Sequence, residues 1–232
     1  MTTSHRHCPS GLAVATALLL GIAATGADAT PLNTAFTGQT YLDTSLPGTT
    51  DAARPELSGV VLQDVDTPFV LDNLTGYVQN RVVREDGTGT LDFYWRVVVD
   101  STSSGDGINA LRIGNFGYSY LTDADWRIDG LGTIPASTGQ VFNPAYDPEG
   151  DINFQFGSAV APGDSSSFFF LHTDATNYAE TALYDVWENN DTFTGTFSTF
   201  APAVPEPAPA ATLALGLMAL GWLRGRRARS RD

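Results

Sequence analysis

Hydrophobic and polar residues alternate with a period of two through the middle of this chain. Leu91, Phe93, Trp95, Val97 and Val99 interleave with Thr90, Asp92, Tyr94, Arg96 and Val98, the pattern of a strand with one buried face. Burying five such side chains is worth on the order of 1.5–3 kcal/mol each before entropy is subtracted. The run Gly76–Arg84 is joined to this strand by Glu85-Asp86-Gly87-Thr88-Gly89. A hairpin is expected there, with the glycine of Asp-Gly at positive φ. Ile152, Phe154 and Phe156 alternate with Asn153 and Gln155, and Phe193 and Phe197 alternate with Thr192, Thr194, Thr196 and Ser198. A third aromatic strand, Ser165–Leu171, follows the turn Ala161-Pro162-Gly163-Asp164.

Short strands recur every 8–15 residues, with Gly, Pro, Asp or Asn between them. Helical periodicity is weak everywhere and strongest at Tyr178–Val186. Strands without intervening helices imply antiparallel sheets. The expected fold is all-β: a two-sheet antiparallel sandwich, jelly-roll or Ig-like, of roughly 8–10 strands. Thr30–Arg54 reads as loop with an edge strand around Gln39–Asp43, and regular structure is expected from near Leu57.

Two apolar segments flank this body. Leu12–Ala24 follows a weakly basic head (His5, Arg6, His7), and Ala27 and Ala29 place small residues for cleavage before Thr30. Residues 1–29 therefore read as a secretory signal peptide and its helix. The single cysteine, Cys8, lies in that segment, so the mature body is expected to lack disulfides and thiol nucleophiles. The body itself, 30–200, is long enough to bury around 70% of the unfolded chain's surface. Residues 201–207 read as a proline-rich spacer, 208–223 as a transmembrane helix, and 224–232 as a cytoplasmic tail. The clean apolar run Ala210–Leu223 is 14 residues, about 21 Å of helix against the roughly 20 residues a span normally needs. Arg224, Arg226, Arg227, Arg229 and Arg231 follow it as a stop-transfer cluster, which sets the body outside.

Val204-Pro205-Glu206-Pro207, the run Thr212-Leu213-Ala214-Leu215-Gly216-Leu217 and the terminal arginines occur in that order. This tail resembles the PEP-CTERM sorting signal of exopolysaccharide-producing Gram-negative bacteria. The resemblance covers about 28 residues and leaves the central domain unassigned, because unrelated cargo carries the same tag. It implies recognition and cutting near Pro-Glu-Pro by a membrane protease, an exosortase. Transient anchoring in the inner membrane would precede transfer to the cell surface or the exterior.

Charge narrows the chemistry. The chain carries a net charge of −14, all twelve basic residues are arginine, and six of these lie in the body. An excess of acid repels nucleic acid and anionic lipid, and the lack of lysine excludes Schiff-base chemistry and lysine isopeptide cross-links. His172 is the one histidine of the body; beside Thr173 and Asp174, with no Gly-x-Ser-x-Gly elbow, it reads as a hydrogen-bonded strand residue rather than a triad member. Asp123-Ala124-Asp125 with Asp129-Gly130, and Asp147-Pro148-Glu149-Gly150-Asp151, are oxygen-rich turns. Calcium is the cofactor they would suit, at Asp147, Glu149 and Asp151, although turn chemistry explains them equally. Tyr94 and Trp126 are candidates for an exposed sugar-stacking row, against the alternative that they fill a core or a second sheet face.

These observations give an exported, non-enzymatic surface or matrix protein, structural or adhesive and associated with exopolysaccharide. The alternative is a carbohydrate-binding module, with or without calcium. A secreted glycoside hydrolase is the third possibility, since acids are plentiful and carboxylate separation is not legible in sequence.

Overall fold

The computed structural model describes residues 30–117, 121–147, 151–188 and 192–203. Among the described residues eleven strands, rather than eight to ten, form two antiparallel sheets. The five-stranded sheet contains β2 (Gly59–Leu71), β3 (Leu74–Glu85), β4 (Leu91–Val99), β9 (Phe169–Thr173) and β6 (Leu121–Trp126), in that spatial order. The six-stranded sheet orders β1 (Tyr41–Ser45), β7 (Ala136–Phe142), β8 (Ile152–Val160), β5 (Ile108–Gly114), β10 (Tyr178–Glu188) and β11 (Phe197–Pro202). A 3-10 turn at Pro55–Leu57 is the other regular element among the described residues. None of these residues forms a helix long and apolar enough to cross a membrane.

The core lies between the two inner faces. Leu91, Phe93, Trp95, Val97 and Val99 of β4 are all buried there, as the alternation requires, together with Leu111 and Ile113 of β5 and Ile152 and Phe154 of β8. Rings interlock at its centre: Phe154 and Phe169 have centroids 4.7 Å apart, and Phe93 meets Phe116 edge-on at 5.1 Å, the geometries aromatic quadrupoles favour. A buried polar relay also joins the sheets. The Trp95 indole N–H donates to Thr199 Oγ1 at 2.9 Å, and the Thr199 hydroxyl donates to Asn80 Oδ1 at 2.9 Å.

Three local expectations are corrected. Tyr178–Val186 is strand, part of β10, pairing with β5 on one side and β11 on the other. Its four-residue spacing of Tyr178, Ala182 and Val186 mimics a helical stripe, but Ala182, Tyr184 and Val186 alternate at two and are buried. In the β3–β4 hairpin it is Gly89, not Gly87, that takes positive φ (75°). The loop is longer than a two-residue turn, and the left-handed residue falls at its end. Finally, β11 runs to Pro202, and the Ala203 N–H bonds to the Asn177 carbonyl. The domain therefore reaches into the stretch expected to be spacer.

A strap crosses the outer face of the five-stranded sheet. Thr49 pairs with Arg127 beyond β6, and ten residues later Gly59 enters β2 opposite Glu85 of β3. Between these points the strap lays Leu57 onto Val83, Tyr94, Phe168 and Phe170, a second, smaller apolar cluster.

Candidate functional site

Outward positions of adjacent strands fall into rows, because antiparallel register sets them side by side. On the six-stranded sheet one row reads Asp43, Gln140, Asn153, Arg112, Asp185 across β1, β7, β8, β5 and β10. Its members are tied laterally. The Gln140 amide donates to Asp43 Oδ1 at 2.9 Å, the Asn153 amide to Gln140 Oε1 at 3.3 Å, and Arg112 Nη2 to Asp185 Oδ2 at 2.5 Å. The Arg112 guanidinium is held above its ordinary value: burial opposes this, but Asp185 and Asp151 outweigh it.

The next row reads Thr138, Gln155, Ala110, Trp187, Phe193. Ala110 is the small residue between two large neighbours, so a trough opens over it. The trough has a volume of about 570 Å³ and is bounded by Asn109, Asn153 and Gln155 on one side and Trp187 and Glu188 on the other. That size suits a small-ligand site. Trp187 is stacked on Phe193 at 5.0 Å and 23°, and its indole N–H donates to Asp185 Oδ1 at 2.6 Å. Phe193 is 53% exposed. Asn153 Oδ1 receives no hydrogen bond. The Arg112–Asp185 ion pair stands in the neighbouring row, while Asn153, Gln155 and Trp187 line the opening.

The opposite sheet carries a second cavity of about 550 Å³, beneath the strap, lined by Tyr94, Phe168, Arg81, Arg127, Asp51 and Asp129 among others. Its charged groups are already engaged. Arg81 binds Asp64 at 2.8 Å, and Arg127 binds Asp51 at 2.6 Å and Asp129 at 2.8 Å. A ligand would have to break these pairs, so the trough on the six-stranded sheet is the better candidate. The Tyr94 hydroxyl is buried beside Arg127 with no partner at hydrogen-bonding geometry, and burial pushes its ionisation far up.

A third constellation crosses the five-stranded sheet in one register line: Val83, Asp92, His172, Asp123. Glu85, two residues beyond Val83, turns back toward it. His172 Nδ1 lies 2.8 Å from Asp92 Oδ1 and 2.9 Å from Glu85 Oε1. The Thr88 and Thr90 hydroxyls both donate to Glu85 Oε2, the second at 2.7 Å. The strap supplies Arg54, which is 2% exposed and donates to both oxygens of Asp123, at 2.8 and 3.3 Å, and to Glu56 at 2.8 Å. Burial pushes the Asp92 carboxyl up to about 6, against the pull of His172. Burial alone would depress the imidazole, but Asp92 and the surrounding carboxylates hold it above its ordinary value.

The sequence-expected residues fare differently. His172 is hydrogen-bonded to a carboxylate within a strand, as expected. Tyr94 is not part of an exposed row; it is 4% exposed and packs beneath the strap. Trp126 packs against the main core, with its indole N–H on the Leu46 carbonyl at 3.2 Å. Of the calcium candidates, Asp151 Oδ2 lies 3.4 Å from Arg112 Nε, Asp147 closes a turn on the Asn143 carbonyl, and Glu149 lies outside the described residues. So do Ala27 and Ala29, Val204–Pro207, the apolar run 208–223 and the five terminal arginines. Sequence reading missed Gln155 and Trp187 as partners, and Glu85 with Asp92 as neighbours of His172. The available signal was polar residues at outward positions inside strongly apolar strands (Arg112, Asn153, Asp185). No family model, curated protein or solved structure matches this chain.

Proposed function

We propose that this protein is an exported surface component whose sandwich binds polysaccharide through the trough on its six-stranded sheet. The observation that carries this reading is the pairing of Gln155 and Trp187 across Ala110, with Asn109, Asn153 and Glu188 around the same opening. Amides both donate and accept, so they match vicinal hydroxyls, while an indole offers an apolar flat surface with a polar tip. The ties Asp43–Gln140–Asn153 and Arg112–Asp185 in the neighbouring row restrain the strands beneath, which lowers the ordering cost of binding. The reaction class is recognition rather than catalysis.

Export and sorting belong to the same proposal. The signal-like head and the Pro-Glu-Pro tail with its arginines support transient inner-membrane anchoring, exosortase processing and release to the surface, where exopolysaccharide is the available polymer. An acidic body suits this setting, since it stays soluble and avoids nucleic acid.

Affinity electrophoresis of the purified protein through gels containing the producing cell's exopolysaccharide tests the reading. Wild type is expected to be retarded. Trp187→Ala and Gln155→Ala should each weaken retardation at least tenfold, with unchanged far-ultraviolet circular dichroism. Retardation indifferent to both substitutions, or none in wild type, refutes it.

A further inference from the structure

We propose that Glu85, Asp92 and His172 form a binding site for one divalent transition-metal ion, of the zinc or manganese class. The site lies on the sheet opposite the trough and does not depend on polysaccharide binding. Glu85 Oε1, Asp92 Oδ1 and His172 Nδ1 come from the end of β3, the start of β4 and β9, and lie within 4.8 Å of one another. Both carboxylate side chains are fully buried, while that of His172 keeps 18% exposure.

Protein groups alone leave this cluster under-satisfied. Nδ1 can carry one proton, and that proton serves Asp92. Glu85 Oε1 faces the same nitrogen at 2.9 Å yet accepts no hydrogen bond, and Asp92 Oδ2 is also buried without a donor. Two buried carboxylates side by side repel each other and lack solvation. Arg54, on the strap, is committed to Asp123 and Glu56. A metal ion in place of the Nδ1 proton neutralises both acids at once.

Geometry and donor type select the ion. Ligand bonds of about 2.0–2.1 Å put neighbouring donors about 3.3 Å apart in a tetrahedral site and about 3 Å apart at the right angles of an octahedral one. The two separations from Nδ1, 2.8 and 2.9 Å, are close to that. One imidazole nitrogen with two carboxylates suits zinc, manganese or cobalt, whereas calcium takes six to eight oxygens. Thr88 and Thr90 hold Glu85 Oε2 and so turn Oε1 inward, the role outer hydrogen bonds play around metal ligands. The ion would clamp the β3–β4 hairpin to β9.

Equilibrium dialysis of the full-length protein, stripped with chelator and then offered zinc, manganese or calcium, tests this by metal analysis. One equivalent of zinc or manganese per chain is expected, with a raised thermal midpoint, and no calcium at the same concentration. His172→Gln and Asp92→Asn should abolish uptake. Thr88→Val/Thr90→Val keeps every ligand and should weaken affinity about 10–100-fold. Cobalt loading of wild type gives a readout independent of whether the variants fold: visible d–d absorption in stoichiometric proportion supports the site. Failure of wild type to take up zinc, manganese or cobalt, or uptake unchanged in His172→Gln, overturns it and leaves a protonated histidine ion pair in its place.

Discussion

Arg54 is the residue on which the strap depends. Its guanidinium is buried, grips Asp123 with two nitrogens and Glu56 with the third, and lies 5.7 Å above the Phe170 ring. Removing one partner of a buried pair leaves the other charged and unsolvated, which costs about 3–5 kcal/mol. Arg54→Ala is expected to lose stability on that scale in urea denaturation. Arg54→Met combined with Asp123→Leu should recover much of it, because an apolar pair of similar volume removes the orphaned charge. Nothing in the local sequence announces this contact. Arg54 and Asp123 stand 69 residues apart, and an arginine in a Thr-, Pro- and Asp-rich stretch reads as solvated loop. The same applies to His172 and Asp92, 80 residues apart. The chemistry of each was visible, and its neighbour was not.

At the scale of elements, alternation was a sound guide in β4 and β8 but not at Thr192–Ser198, where β11 begins only at Phe197 and Phe193 is 53% exposed. β4 spans Leu91–Val99 as the pattern requires, and Ile152, Phe154 and Phe156 of β8 point inward. It was a poor guide in β10, where two periodicities coincide, and it is silent about which strands become neighbours. The trough exists because β8 and β10 flank β5, an order no local period encodes. Packing between sheets makes a separate demand at Thr199. Its hydroxyl accepts from Trp95 and donates to Asn80 in an otherwise apolar core. Thr199→Val preserves shape but strands an indole N–H and an amide oxygen. Each buried group left without a partner costs about 1–3 kcal/mol. A lowered denaturation midpoint with unchanged urea dependence is the expected result, whereas Thr199→Ser should retain most of the stability.

For the whole molecule, the domain and its ends carry different information. The sandwich accounts for stability without disulfides: two continuous inner faces share one core. The proposed addresses lie at the ends and rest on sequence alone, because charge and hydrophobicity act on membranes through order and length rather than through tertiary contacts. Intact mass spectrometry of the mature protein checks the proposed sorting. Cells with an exosortase should yield a chain shorter by roughly 25 C-terminal residues than cells without one, and equal masses would remove the processing step.

The placement of the arginines has a further effect. Trypsin cuts after lysine or arginine and needs several residues of extended, unpaired backbone. Arg81, Arg84, Arg96 and Arg112 lie inside β3, β4 and β5, Arg127 directly follows β6 and bonds through its N–H to the Phe168 carbonyl, and Arg54 is 2% exposed. With no lysine in the chain, every scissile position in the folded domain is withheld until it opens. Digestion there should follow the small population of opened molecules. If the proposed export holds, the domain would survive among digestive enzymes through where its cations sit in the ladder.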